Sequence, residues 1–132
     1  VLSDKAQGLI KGSNIGFVAT VLPSGLIQNQ PVWVDTDGEH VLVNTEVGRR
    51  KYKNLEDNDN ITVTVIDSEN PWSWVEVRGK SAGAIHGQEA RDHIDELAKK
   101  YLGVDDYPNP IASPRVIIKV APEQVFEFPP GG

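Results

Sequence analysis

Between Gly48 and Lys53 the sequence GRRKYK sets four cations and no acid in six residues. The 132-residue chain has 13 Lys and Arg against 19 Asp and Glu, a net charge of -6, so nearly a third of its positive charge falls in one turn. Like charges packed that closely repel one another. The acids Glu56, Asp57 and Asp59 offset part of this, and a bound anion would do so more directly. Arg grips a phosphate with two N–H groups, whereas Lys acts as a point charge. Each charge-assisted hydrogen bond contributes roughly 1.5–3 kcal/mol. Asn44 and Thr45 precede the cluster as residues able to cap a helix, and Gly48 allows close backbone approach. A helix N-terminus carries free N–H groups and partial positive charge. Two readings of Arg49, Arg50, Lys51 and Lys53 stay open on pattern alone: a phosphate seat at a helix start, and a solvated basic helix face.

Other chemistries find less support. Cysteine is absent, which excludes disulfides, thiolate metal sites and cysteine nucleophiles and is compatible with a reducing, cytoplasmic setting. His40, His86 and His93 share no metal-ligand spacing, so no metal site is expected, and His93 is read as solvated, off its helix's apolar stripe. DNDN at 57–60 lacks the glycine and final glutamate of a calcium loop. No P-loop, G-x-G-x-x-G or G-x-S-x-G motif occurs. The acidic balance argues against nucleic acid as a partner, and no apolar run reaches the roughly 20 residues of a membrane span.

The elements that must position the cationic turn read as follows. Residues 3–12 form a short helix capped by Ser3 or Asp4. Strands are expected at 15–21 and 26–34, the second with an edge or bulge at Pro31 because proline cannot donate to a ladder. The Asp-Gly of 35–39 marks a hairpin, returning through HVLVN at 40–44. ITVTVID at 61–67 alternates clearly, and 72–86 is a long strand bent at Gly79 and Gly83. The apolar stripe Ala90, Ile94, Leu97, Ala98, Tyr101 predicts a helix over 87–103. A proline-rich loop at 104–114 leads to two final strands divided at Pro122. Short hairpins and long bent strands predict one mostly antiparallel, barrel-like domain over residues 1–132, with loose ends at 1–3 and 129–132.

This order, with PVWV, then VNTEVGRRKYKNL, then WSWVEVRGKSAG, resembles the pyridoxamine-phosphate-oxidase-like split β-barrel family, and more narrowly its branch that binds the deazaflavin coenzyme F-420. The likeness runs from about 10 to 128, and Asn44 to Leu55 is its most diagnostic part. The resemblance implies a homodimer whose flavin or deazaflavin lies between subunits, phosphate at the helix start. It implies Asn44, Thr45, Arg49, Arg50, Lys51 and Asn54 at the phosphate, and Gln30, Pro31 and Val32 beside the tricyclic ring. Trp72, Ser73 and Trp74 would come from the partner subunit; ordinary core or dimer packing is the other reading of the two tryptophans. Gln28 is read as an exposed strand residue. Lys53, Arg78, Lys80 and Arg115 are loose candidates for the F-420 tail, each read first as a surface charge. The implied activity is hydride transfer from reduced F-420 to an unsaturated acceptor of conjugated-ketone, quinone or tetrapyrrole type, with no catalytic side chain named because the cofactor carries the chemistry. FMN is the alternative cofactor, and a non-catalytic flavin, deazaflavin or haem-like ligand-binding module is a further alternative.

Overall fold

A computed structural model describes residues 1–130 of the chain. Its elements are helix α1 (Asp4–Lys11), strands β1 (Gly16–Val21), β2 (Ile27–Val32), β3 (Val34–Thr36) and β4 (Val41–Glu46), helix α2 (Arg50–Asp57), strands β5 (Asn60–Asp67) and β6 (Asn70–Ile85), helix α3 (Gln88–Leu102) and strand β7 (Arg115–Phe128). The strands form one seven-stranded sheet in the order β2-β1-β5-β6-β7-β4-β3, antiparallel throughout.

The connectivity requires that sheet to curl. β2 and β3 lie at its opposite edges, yet only Trp33 separates them in the chain. One residue spans at most about 3.6 Å, so the two edges must meet, as in a split β-barrel. The strand expected over 26–34 is therefore two strands, divided where the chain passes from one edge to the other. Pro31 sits on the edge strand β2, opposite Phe17.

Alternation fills the barrel with small branched side chains. Val18, Val63, Val65, Val75 and Val77 project inward from β1, β5 and β6, joined by Val34, Val41, Val43, Ile118 and Val120. Leu2, Ala6, Leu9 and Ile10 insert from the α1 end and complete the core. Burying each such valine stabilises by about 1.5 kcal/mol or more. Leu2 departs from the loose end expected at 1–3: it is buried and its N–H donates to the Gly38 carbonyl at 2.9 Å. At the other end, the Pro129 carbonyl accepts from Lys5 Nζ at 3.0 Å; residues 131–132 of the expected loose end lie outside the described residues.

The two final strands expected around Pro122 are one continuous β7. Pro122 lies opposite Gly79 at a register shift between Arg78 and Gly79, where the missing N–H is tolerated. A Cβ on Gly79 would run into the Ala121 carbonyl, so only glycine fits that crossing. The second shift, between Ser81 and Ala84, brackets Gly83. α3 packs its buried Ala90, Ile94, Leu97 and Ala98 outside the barrel, chiefly against β7 and β4.

Candidate functional site

β4 runs straight into the cationic turn. Glu46 is the last residue of β4, and α2 begins at Arg50, with Arg49 in extended conformation as its N-cap. Asn44 and Thr45 therefore lie within the strand and do not cap α2, which has no side-chain cap. The turn is fastened to the loop before β7. Gly48 N–H donates to Ser113 Oγ at 3.0 Å, and that hydroxyl donates to Glu46 Oε1 at 3.0 Å. Glu46 Oε1 also accepts from the N–H groups of Ser113 at 2.8 Å and Ala112 at 3.2 Å. A Cβ on Gly48 would lie 2.9 Å from Ser113 Oγ, so the close approach expected of this glycine is made to its own chain.

This turn forms one wall of an open cleft of about 370 Å³. Arg49 and Lys51 enter from the turn, Asn44 and Thr45 from β4, and Arg115 from the start of β7. Ile15, Pro31, Val32 and Trp33 line it too, together with Ile94, Tyr107 and Asn109. Trp33 stacks on Tyr101 with ring centres 5.2 Å apart and meets Tyr107 edge-on at 6.0 Å. The Arg115 guanidinium lies 5.2 Å from the Tyr107 ring centre. The cleft thus has a cationic end and an aromatic, apolar wall.

The electrostatics of the cationic end are uneven. Arg115 Nη1 pairs with Glu46 Oε2 at 3.3 Å, and both side chains are buried. Burial would raise the Glu46 carboxyl, but the Ser113 hydrogen bonds, the Arg115 charge and the Ala112 N–H outweigh it and hold the carboxyl below its ordinary value. Arg49 and Lys51 have no carboxylate partner among the described residues. Burial, followed by the charges of Arg49 and Arg115, pushes the Lys51 ammonium below its usual range. A half-buried lysine that feels two guanidinium charges is a site that gains from an anion.

Behind the cleft runs a polar chain, buried from Arg115 to His93 and open to solvent at Lys11. Arg115 Nε donates to Asn44 Oδ1 at 2.8 Å. Asn44 Nδ2 donates to the Ala90 carbonyl at 2.9 Å and lies 3.0 Å from His93 Nδ1. His93 Nε2 faces Asp35 Oδ2 at 3.0 Å, and Asp35 Oδ1 accepts from Lys11 Nζ at 2.8 Å. Burial raises Asp35, but the bonds from His93, Lys11 and the Thr36 N–H prevail and hold its carboxyl far below the usual range. His93, expected to be solvated, is 7% exposed. It sits beside the apolar stripe and satisfies its ring on β3 and β4. Arg115, expected at the surface, is 8% exposed, its charge matched by Glu46.

Six of the residues assigned by family resemblance meet at the cleft: Pro31, Val32, Asn44, Thr45, Arg49 and Lys51. Gln30 is exposed on edge strand β2 and does not line it. Arg50 turns to the far side of α2, where its Nε donates to Asn54 Oδ1 at 2.9 Å. Buried Asn54 in turn donates to Thr20 Oγ1 at 3.1 Å and Gln28 Oε1 at 3.2 Å, so Gln28 is tied in rather than free. Trp72, Ser73 and Trp74 are at the start of β6 and do not line the cleft within one chain. Trp72 is 73% exposed and Trp74 stacks on Phe128 at 5.8 Å. Trp33, Tyr107, Asn109 and Arg115 line the cleft without having been assigned to its phosphate or ring. The irregularity read at Pro31 and the aromatic in a proline-rich loop were the nearest sequence signals; the strand break at Trp33 carried none.

A solved F-420 reductase is similar to this chain at 27% identity and TM-score 0.76, covering 95% of this chain and 98% of its own. HupZ of Group A Streptococcus is 21% identical, with 100% and 98% covered and TM-score 0.68. General stress protein 26 of Bacillus anthracis is 20% identical, with 96% and 93% covered and TM-score 0.72. The latter two likenesses speak for the fold alone. A family model described as pyridoxamine 5'-phosphate oxidase matches residues 2–128, and with that match spanning nearly the whole curled sheet and its cleft, the chain belongs to the pyridoxamine 5'-phosphate oxidase family.

Proposed function

We propose that this chain is an oxidoreductase that passes hydride from reduced coenzyme F-420 to an unsaturated small molecule of conjugated-ketone, quinone or tetrapyrrole type. The observation that carries the reading is the pair Arg49 and Lys51, two cations without a carboxylate partner among the described residues, on one cleft. A phosphate monoester carries about -1.5 to -2 charges near neutrality. Those two cations match it, because the third, Arg115, is already balanced by Glu46. The N–H groups of Arg50, Lys51 and Tyr52 precede the bond from Lys53 N–H to the Arg49 carbonyl at 3.3 Å and add donors at the helix start. The similarity to an F-420 reductase supports a deazaflavin over FMN.

Bound F-420 supplies the hydride chemistry itself. The chain's residues bind, orient and exclude water. Arg49 and Lys51 would hold the phosphate, with Asn44, Thr45 and Arg115 lining the same end of the cleft; Arg50 and Asn54 brace the helix that carries the turn. Pro31 and Val32 would flank the ring on the cleft that Trp33 and Tyr107 also line, with Gln30 on the exposed edge of β2 outside it. In a homodimer, Trp72, Ser73 and Trp74 of a second copy close the open side; the exposure of Trp72 supports this. No side chain is assigned a proton, since the transfer depends on alignment of donor and acceptor.

The test is titration of one protein preparation with F-420 and with FMN, followed by fluorescence, then oxidation of reduced F-420 against an acceptor panel. Saturable F-420 binding with turnover is expected. Absence of saturable binding by either cofactor would overturn the reading. The family match favours FMN as the second reading, shown by a yellow protein that releases FMN on denaturation. Binding without turnover on any acceptor would indicate a carrier module.

A further inference from the structure

The hydrogen-bond chain behind the cleft leaves no freedom in how it is protonated. Arg115 Nε can only donate, so the Asn44 atom 2.8 Å away must be its carbonyl oxygen. The Ala90 carbonyl can only accept, so the Asn44 atom 2.9 Å away must be its NH2. Two independent neighbours thus fix the amide the same way round. The NH2 then also faces His93 Nδ1 at 3.0 Å, and that nitrogen has to be the acceptor. The ring proton sits on Nε2 and is donated to Asp35 Oδ2 at 3.0 Å.

Protonation breaks this pattern at one place. An imidazolium keeps the bond to Asp35 but carries a second N–H, on Nδ1, aimed at an NH2 group. Flipping the amide relieves that contact and creates two others, NH2 against Arg115 Nε–H and carbonyl against the Ala90 carbonyl. No arrangement of Asn44 satisfies all three neighbours once His93 is charged. The charged groups around the ring do not remove the conflict. Asp35 on β3 favours the imidazolium but is shared with Lys11 of α1, while Lys100 of α3 lies close enough to feel its charge. Arg115 of β7 stands beyond Asn44, with Glu46 of β4 behind it.

We propose that His93 is a positioning residue whose neutral form, acting through Asn44, locks Arg115 into the cationic end of the cleft, and whose protonation unlocks it. The inference rests on the anion-binding reading of the cleft, which it deepens by making retention of a phosphorylated ligand dependent on pH. It gives a buried histidine, with no role in hydride chemistry, a defined effect on ligand affinity.

Two measurements on the full chain test it. The first needs no ligand: nitrogen NMR of the imidazole and of the Arg115 Nε–H across a titration from about pH 8 to about pH 5.5. At the alkaline end the His93 proton is expected on Nε2, with a slowly exchanging Arg115 Nε–H. As His93 titrates, that signal should broaden or vanish in step with it. A proton on Nδ1 at the alkaline end, or an Arg115 signal indifferent to the titration, would overturn the lock. The second compares FMN and F-420 dissociation constants of wild type and His93→Gln over the same range. Gln offers Asn44 an acceptor that does not titrate, and the ratio of the two proteins cancels the phosphate's own titration. Affinity of wild type relative to His93→Gln should fall about tenfold toward the acid end, the effect of one lost hydrogen bond to a charged group. A flat ratio in the presence of binding would refute the coupling. If neither protein binds either cofactor, the functional reading fails, and the NMR titration still decides the lock.

Discussion

Replacing Lys51 by alanine should have opposite effects on ligand binding and on the ligand-free fold. The ammonium is half-buried, feels the charges of Arg49 and Arg115, and has no carboxylate partner among the described residues. Its pKa is depressed in the folded chain, so the charged lysine costs stability at neutral pH, and that cost fades as pH rises toward the unfolded value. Lys51→Ala removes a like charge, and the ligand-free protein should melt no lower than wild type. Bound phosphate, by contrast, loses one charge-assisted hydrogen bond of about 1.5–3 kcal/mol, or roughly 10- to 150-fold in Kd. The control is Lys99→Ala, an exposed lysine in the last turn of α3. Fluorescence titration with F-420 and FMN, paired with thermal melts of the ligand-free proteins, reads both quantities. A Kd within twofold of the Lys99→Ala control would refute the assignment. A large fall in melting temperature would show that Lys51 supports the fold instead.

Gly79→Ala should destabilise by more than about 2 kcal/mol in urea unfolding, since the new methyl meets the Ala121 carbonyl, which can move only with β7. Acid should unfold the chain through Asp35 and Glu46. Both have folded-state pKa values below their unfolded ones, so their stabilisation is complete above about pH 5 and is lost as pH falls. Asp35→Asn should accordingly flatten the acid limb of a stability–pH curve measured by chemical denaturation. Trp72→Ala should change unfolding free energy of the monomer by less than about 0.5 kcal/mol, as expected of an exposed side chain. The same variant should weaken self-association in sedimentation; unchanged association would remove Trp72 from the proposed subunit contact.

Much of this architecture is written locally. The alternation of 61–67, the stripe of α3 and the Asp-Gly turn each name their element because one periodicity dominates, and the structure places β5, α3 and the β3–β4 hairpin there. What the sequence hides is long-range. Nothing around Trp33 says that the next residue joins the opposite edge of the sheet, and nothing near Pro122 says that Gly79 will receive it. The cationic turn was legible from charge, whereas the cleft it faces was not, because Tyr107 and Arg115 arrive from a segment more than fifty residues away. His93 illustrates the same limit: its neighbours on α3 suggest water, and only the packing of that helix against β3 and β4 supplies Asp35 and Asn44.

The Ser113 fastening has a consequence for how this scaffold diversifies. One hydroxyl is both acceptor for Gly48 and donor to Glu46, so the last residues of the 104–114 segment are mechanically part of the cationic turn. The span from Val104 to Asn109, largely exposed, carries no such tie to Glu46 or Gly48. Sequence drift in that outer span can therefore reshape the cleft entrance through Tyr107 and Asn109 while the Glu46–Ser113–Gly48 fastening stays constant. On the proposed reading, acceptor preference would change by loop substitution alone, without rebuilding the turn at its base.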